Sequence, residues 1–428
     1  MSRWSVSQVL HASEVVYVIL ALFALTQGPV YRLWSESSTY LGTSPRPSMP
    51  HVYFATFVAI QLPALVLLFR RLTTRNLFDR RIQMLSAFVL WMTLSVVWSS
   101  FARHSLPEVV SLVLTTSFGV YVATSYCPKQ FFRIVLAAMS IGICLSLFAI
   151  QQGWDAAVNP ETGYWIGIYY NRNSLAPVAA VALLAALGVI LLQGRWRGPL
   201  SASLVGLAGP IVVVALFMLW KAESRTSPLA LSLSFASLLL WLLLQRLAEK
   251  FAPTAASRVS VVVLSFTAVI VFLVVRTLSR GSSVTPGTAT FNSRGGLWSQ
   301  NWAGILEKPW FGWGWMAARR TPTFFSDKWW YGFATEWSHN GYHDILLGGG
   351  AVAGFLFLGF ILSAVWHDER PINVGRFTPI YLGIVFIMVA ATQEAFFVGT
   401  HFMWALLVAM LLQFSGNSVN QKDTSKGT

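Results

Sequence analysis

Apolar runs of roughly 20 residues recur along most of the chain, separated by short polar breaks. A helix that crosses the hydrocarbon of a bilayer needs about 20 predominantly apolar residues. Runs near 14–33, 51–69, 83–99, 107–125, 132–150, 174–193, 200–220, 227–245, 259–278, 342–365, 377–396 and 399–415 meet that length. The pattern predicts an all-α, polytopic integral membrane protein of about twelve transmembrane helices. Two longer segments interrupt it, at about 151–173 and about 279–341, the second lying between helices nine and ten. Inside that second segment, "GGLWSQNWAGILEK" carries Leu297, Trp298, Trp302, Ile305 and Leu306 at helical spacing. That spacing predicts an amphipathic helix on the outer membrane boundary, its tryptophans at headgroup depth. The organisation is one membrane domain over 1–416 and a polar, flexible tail over 417–428, with no defensible internal repeat.

Composition agrees with this class. Hydrophobic residues make up 55% of the 428 and charged ones 11%. The formal net charge of +14 raises the question of a nucleic-acid partner. No nucleic acid is expected, because the cations form no basic domain and sit in short loops. Arg70, Arg71, Arg75, Arg80 and Arg81 lie between spans two and three, Lys129 and Arg133 before span five, and Arg195 and Arg197 before span seven. Arg246, Lys250 and Arg258 precede span nine, and Arg370 and Arg376 precede span eleven. All fall on one side, which the positive-inside rule makes cytoplasmic, together with both termini. Arg103 is a mild exception. The first apolar run lacks a strongly basic leader and a small-residue cleavage site, so no cleavable signal peptide is expected. Cys127 and Cys144 match neither a metal-ligand spacing nor a disulfide framework and read as packing residues.

Four polar constellations fall on the non-cytoplasmic side. They are "YYNRNSLAP" at 169–177, "KAESRTSP" at 221–228, "FNSRGGLW" at 291–298 and "EWSHNGYHD" at 336–344. The first three each contain one arginine, Arg172, Arg225 and Arg294. Guanidinium groups offer paired donors that match phosphate oxygens, so three on one face suit an anionic ligand. Each alone is equally read as snorkelling to lipid phosphates. In the fourth, His339 is a candidate general base, because imidazole titrates within the physiological range, and Glu336 is a candidate orienting partner. The same stretch also reads as a helix cap, with Asn340 satisfying free backbone amides at the start of span ten. His339 and His343 are four residues apart, but no third metal ligand is evident and no metal or other cofactor is expected. "LEKPWFGWG" at 306–314 reads as a turn that shapes the loop. Gly350 and Gly354 suggest close helix packing, and Glu394 is a carboxylate within span eleven.

In order, "WIGIYYNRNSLA", Arg294 to Trp298, "LEKPWFGWGW" and "SHNGYHDILLGGGAVAG" resemble the O-antigen ligase and O-antigen polymerase superfamily of bacterial membrane glycosyltransferases. The resemblance covers roughly 160–400. It implies a multi-pass protein of the bacterial inner (plasma) membrane with a large periplasmic loop and the active site on the periplasmic side. It implies metal-independent, inverting transfer of a glycan from an undecaprenyl-diphosphate donor to a hydroxyl of a glycan or lipid A-core acceptor, in lipopolysaccharide or exopolysaccharide assembly. It implies diphosphate binding by Arg225 and Arg294, with Arg172 and Asn173 in a supporting motif, and proton abstraction by His339. A polytopic anion transporter of the bicarbonate type is the competing reading. A transporter places charges or broken helices near mid-membrane, whereas these polar sets cluster at one surface.

Overall fold

The computed structural model describes residues 5–34, 50–72, 79–155, 157–192, 199–251, 263, 293–318, 338–365, 374–392, 397 and 401–414. Thirteen helices lie among them: α1 Val6–Leu25, α2 Gly28–Trp34, α3 Pro50–Arg71, α4 Arg80–Leu94, α5 Ala102–Ser125, α6 Pro128–Gln151 and α7 Arg172–Leu192, then α8 Pro199–Ala222, α9 Thr226–Phe251, α10 Ser293–Glu307, α11 Gly341–Val365, α12 Val374–Ala390 and α13 Phe402–Phe414. Among the described residues there is no strand, only one antiparallel bridge between Val158 and Trp165. Seven of the helices are long and apolar enough to cross a membrane, and three shorter apolar helices accompany them. In hydrocarbon a segment must satisfy its own backbone, which is why apolar runs this long become helices. The chain is thus an all-α, polytopic membrane protein.

The first apolar run is not one helix. Gln27 takes φ +68 and separates α1 from α2. Gly28 then lies so close under Tyr169 that a Cβ there would be 2.6 Å from the ring. The Gly28–Pro29 pair marks this break, which a count of apolar residues passes over. The ninth run, 259–278, lies outside the described residues except Val263.

Among the described residues, the ends of the first basic loops gather at one end of the bundle. Arg81 Nη1 donates to the Leu412 carbonyl at 2.6 Å, and Gln413 Nε2 donates to the Tyr126 carbonyl at 2.9 Å. The start of α4, the end of α5 and the end of α13 therefore share a level. At the same end Arg71 pairs with Glu14 and lies over the Tyr121 ring. Asp79 caps α4, accepting from the Arg81 amide at 2.9 Å and pairing with its guanidinium. Burial raises the Asp79 carboxyl, but the bonds from Arg81 and the Ile82 amide outweigh it and hold it below its ordinary value.

α11 is broken. Gly350 has φ +66 and ψ −163, and a Cβ there would meet the Trp310 carbonyl at 2.2 Å. The close packing expected at Gly350 is real, but its partner is the 309–314 loop rather than another helix. Trp313 N donates to Leu347 O at 2.7 Å and Gly314 N to Gly348 O at 3.0 Å. On the other side of the break, Ala351 N donates to Pro309 O at 2.7 Å and Val352 N to Trp310 O at 3.3 Å. Trp91 Nε1 takes the Gly349 carbonyl at 2.8 Å. The open groups of an interrupted membrane helix are thus met by neighbouring backbone and one indole, as burial in an apolar medium demands.

Candidate active site at the motif-bearing end

The polar motifs lie at the end of the bundle opposite the basic loops. Arg172 is the first residue of α7, with its guanidinium 4.6 Å from the centre of the Tyr164 ring. Beside it, Asn173 Oδ1 accepts from Ser224 Oγ at 3.1 Å. A second bond, Trp165 N to Lys221 O at 2.9 Å, joins the same two segments. Arg225 follows Ser224, is exposed, and precedes α9. The first and second constellations are therefore one surface.

The third and fourth constellations also meet. Arg294 is the second residue of α10; its side chain lies outside the described residues, as does Glu336. One helical turn after Arg294, Trp298 Nε1 donates to the Ser338 carbonyl at 3.2 Å. Ser338 Oγ in turn donates to the Asn340 carbonyl at 2.7 Å. Asn340 Oδ1 accepts from Tyr342 N at 3.0 Å and His343 N at 3.2 Å, capping α11. Between them His339 is half-buried, with its backbone in the left-handed region at φ +48. A non-glycine residue pays for that conformation, and such strain concentrates at functional positions.

α12 connects the two halves. Ser237 Oγ and Tyr381 Oη lie 2.6 Å apart, and the Trp241 and Tyr381 rings stack at 4.9 Å, so α9 and α12 are level there. From that level α9 reaches back to Thr226 and α12 forward to Ala390, about 16 Å and about 13 Å at 1.5 Å per residue. Just past that end, Ala391 O accepts from Gly341 N at 2.8 Å. α12 also packs on α7. The arginine motifs of α7 and α9 and the histidine motif of α11 therefore stand at one level around α12.

The amphipathic reading of α10 needs correction. Leu297, Trp298 and Ile305 are buried, with Ile305 packed beside Leu347 of α11, while Trp302 and Leu306 are exposed. The helix rests on protein, not only on the membrane boundary. Sequence reasoning also missed Arg32. Its guanidinium donates to the carbonyls of Asp155 at 3.1 Å, Gly167 at 2.8 Å and Ile168 at 3.3 Å, holding the loop that leads into Arg172. An arginine at the end of the first apolar run, on the side where cations are scarce, was the available signal. Glu394 lies outside the described residues. Among the described residues no three His, Cys, Asp or Glu side chains come together as a metal site.

Comparison with curated proteins finds no match. A family model described as O-antigen ligase matches residues 210–358. Arg225, Arg294, Glu336, His339 and Asn340 lie inside that segment, and Arg172 and Asn173 outside it. Three of the four polar motifs at this end of the helical membrane bundle therefore fall within a segment that is similar to the O-antigen ligase family.

Proposed function

We propose that the protein is an inverting glycosyltransferase that moves a glycan from undecaprenyl diphosphate to an acceptor hydroxyl at the outer face of a bacterial plasma membrane. The observation that carries this reading is the gathering of the three arginine segments and the His339 segment at one end of the bundle, away from the basic loops. In the step envisaged, the acceptor oxygen attacks the anomeric carbon from the face opposite the diphosphate. The new C–O bond forms as the bond to the diphosphate oxygen breaks, and that electron pair leaves with the diphosphate. The hydroxyl proton passes to His339, oriented by Glu336. Charge grows on the departing oxygens, where Arg225, Arg294 and Arg172 supply fixed cationic donors. Asn340 holds the turn that carries His339, and Asn173 holds the turn that carries Arg225. The carrier lipid stays in the bilayer, so the site opens sideways to it.

The acceptor is either a lipid A-core sugar or the end of a second lipid-linked glycan. Purified protein incubated with lipid-linked oligosaccharide, alone and with each acceptor, tests both. A single shift of the acceptor marks a ligase and a ladder marks a polymerase. No transfer to either overturns the reading.

One observation favours the anion-transporter alternative, the interruption of α11 at Gly350. Its open backbone groups are taken by residues 309–314 and Trp91, which leaves them unavailable to line an anion path. Anion flux into proteoliposomes at rates that Arg225→Ala abolishes would favour the transporter.

A further inference from the structure

Trp298, Asn301 and Trp302 stand at i, i+3 and i+4 on α10 and share one side of it. Asn301 is 0% exposed, and neither atom of its side-chain amide has a hydrogen-bond partner. Across the seam, the His343 ring lies 6.3 Å from that of Trp298 and 6.5 Å from that of Trp302. His343 Nδ1 is likewise buried without a hydrogen bond. Asp344 follows, 3% exposed. A buried polar group left unbonded is costly, so two at one seam call for a partner of matching chemistry.

We propose that the α10–α11 seam binds a pyranose unit of the glycan substrate, stacked on Trp302, with hydroxyls bonded to Asn301 and His343. This rests on the glycosyltransferase reading above and names a sugar subsite within it. A pyranose has a face of C–H groups and a rim of hydroxyls, each both donor and acceptor. An indole covers the first, and a primary amide with an imidazole nitrogen meets the second. Trp302 is 51% exposed, so the seam is open along that edge. Among the described helices α10 packs chiefly on α11, so a sugar reaches Asn301 by parting this one seam. The subsite is adjacent to the proposed chemistry. Asn301 is two turns beyond Arg294, and Trp298 is bonded to the residue before His339.

The test uses the full chain in lipid nanodiscs and two probes. One is the oligosaccharide released from its lipid carrier by mild acid, and the other is undecaprenyl diphosphate without sugar. Asn301→Ala and Trp302→Ala should each weaken oligosaccharide binding about tenfold, the loss of one good contact. Sugar-free carrier should bind both variants as it binds the parent. Trp310→Ala, which removes an exposed indole elsewhere in the loop, should change neither. Because Asn301 is buried, Asn301→Ser serves as a second variant that keeps a small polar group and should restore part of the affinity. Unchanged oligosaccharide binding by Asn301→Ala and Trp302→Ala, or none by the parent, overturns the subsite. If the parent still transfers glycan, the glycosyltransferase reading survives that result. Absence of transfer by the parent removes both.

Discussion

Trp298 and Ser338 are 40 positions apart in sequence and are joined by one hydrogen bond, indole to carbonyl, at 3.2 Å. Through it the helix that carries Arg294 in its first turn is fixed to the residue before His339. Trp298→Phe keeps most of the ring and removes the donor. The loss of one neutral bond, about 0.5–1.5 kcal/mol, should slow transfer by roughly two- to tenfold. Turnover beside a thermal melt will show it, and a change in the melt alone would make the bond merely structural.

Arg225 and Arg294 are expected to hold the donor diphosphate. Truncation of either to alanine should cost roughly 1.5–3 kcal/mol of transition-state stabilisation. Lysine should restore only part, because a point charge does not bridge two oxygens. Normal turnover of both alanine variants in folded, membrane-inserted protein would defeat the assignment.

At His339 the proposed role as base and backbone comfort pull in opposite directions. His339→Gln should reduce transfer by roughly 100- to 10,000-fold while donor binding stays near normal. His339→Gly relieves the left-handed conformation at φ +48 and should leave thermal stability unchanged or higher, yet be as inactive. If glycine there retains transfer, the residue only shapes the turn. A chelator should have no effect, and inhibition would reopen a metal role for His343.

Gly350→Ala should be severe. The new methyl would meet the Trp310 carbonyl at 2.2 Å in a backbone conformation alanine avoids. A loss of roughly 2–4 kcal/mol is expected, read as a lower melting temperature. Gly354→Ala meets only the tip of the Leu346 side chain, at 3.0 Å, and should cost much less. Equal effects would restore the earlier reading in which both glycines serve helix packing.

Asp79 gives a pH dependence. Its carboxyl is held below the ordinary value of 3.8 in the folded chain. Protons therefore bind the unfolded state more readily, and the stabilisation is present above that value and lost as pH falls through the lower, folded one. Asp79→Asn should melt below the parent at neutral pH, with the gap closing towards acid. A gap independent of pH would assign the effect to the cap alone.

Much of the architecture was legible because lipid imposes a simple rule on the backbone. Among the described residues, apolar runs became helices, and Asn340 became a cap from an amide just before a glycine and an apolar run. What escaped was set by contacts between distant segments. Gly350 breaks a helix in a sequence that looks uniformly apolar, for a reason found at Trp310. The 309–314 segment reads locally as a turn, but its bonds to α11 are backbone to backbone, and side-chain identity says little about those. The strain at His339 comes from the Ser338–Asn340 turn and not from the histidine. Arg32 was hidden at the end of an apolar run, and its three carbonyl partners lie more than 120 residues away.

The break in α11 also bears on how the chain is assembled. A helix entering lipid with Leu347, Gly348 and Gly349 carbonyls open would carry several kcal/mol of unmet polarity into hydrocarbon. The residues that close it, 309–314, are synthesised earlier and belong to the long loop that precedes α11. The broken α11 therefore has its backbone bonds completed by a segment that precedes it in the chain.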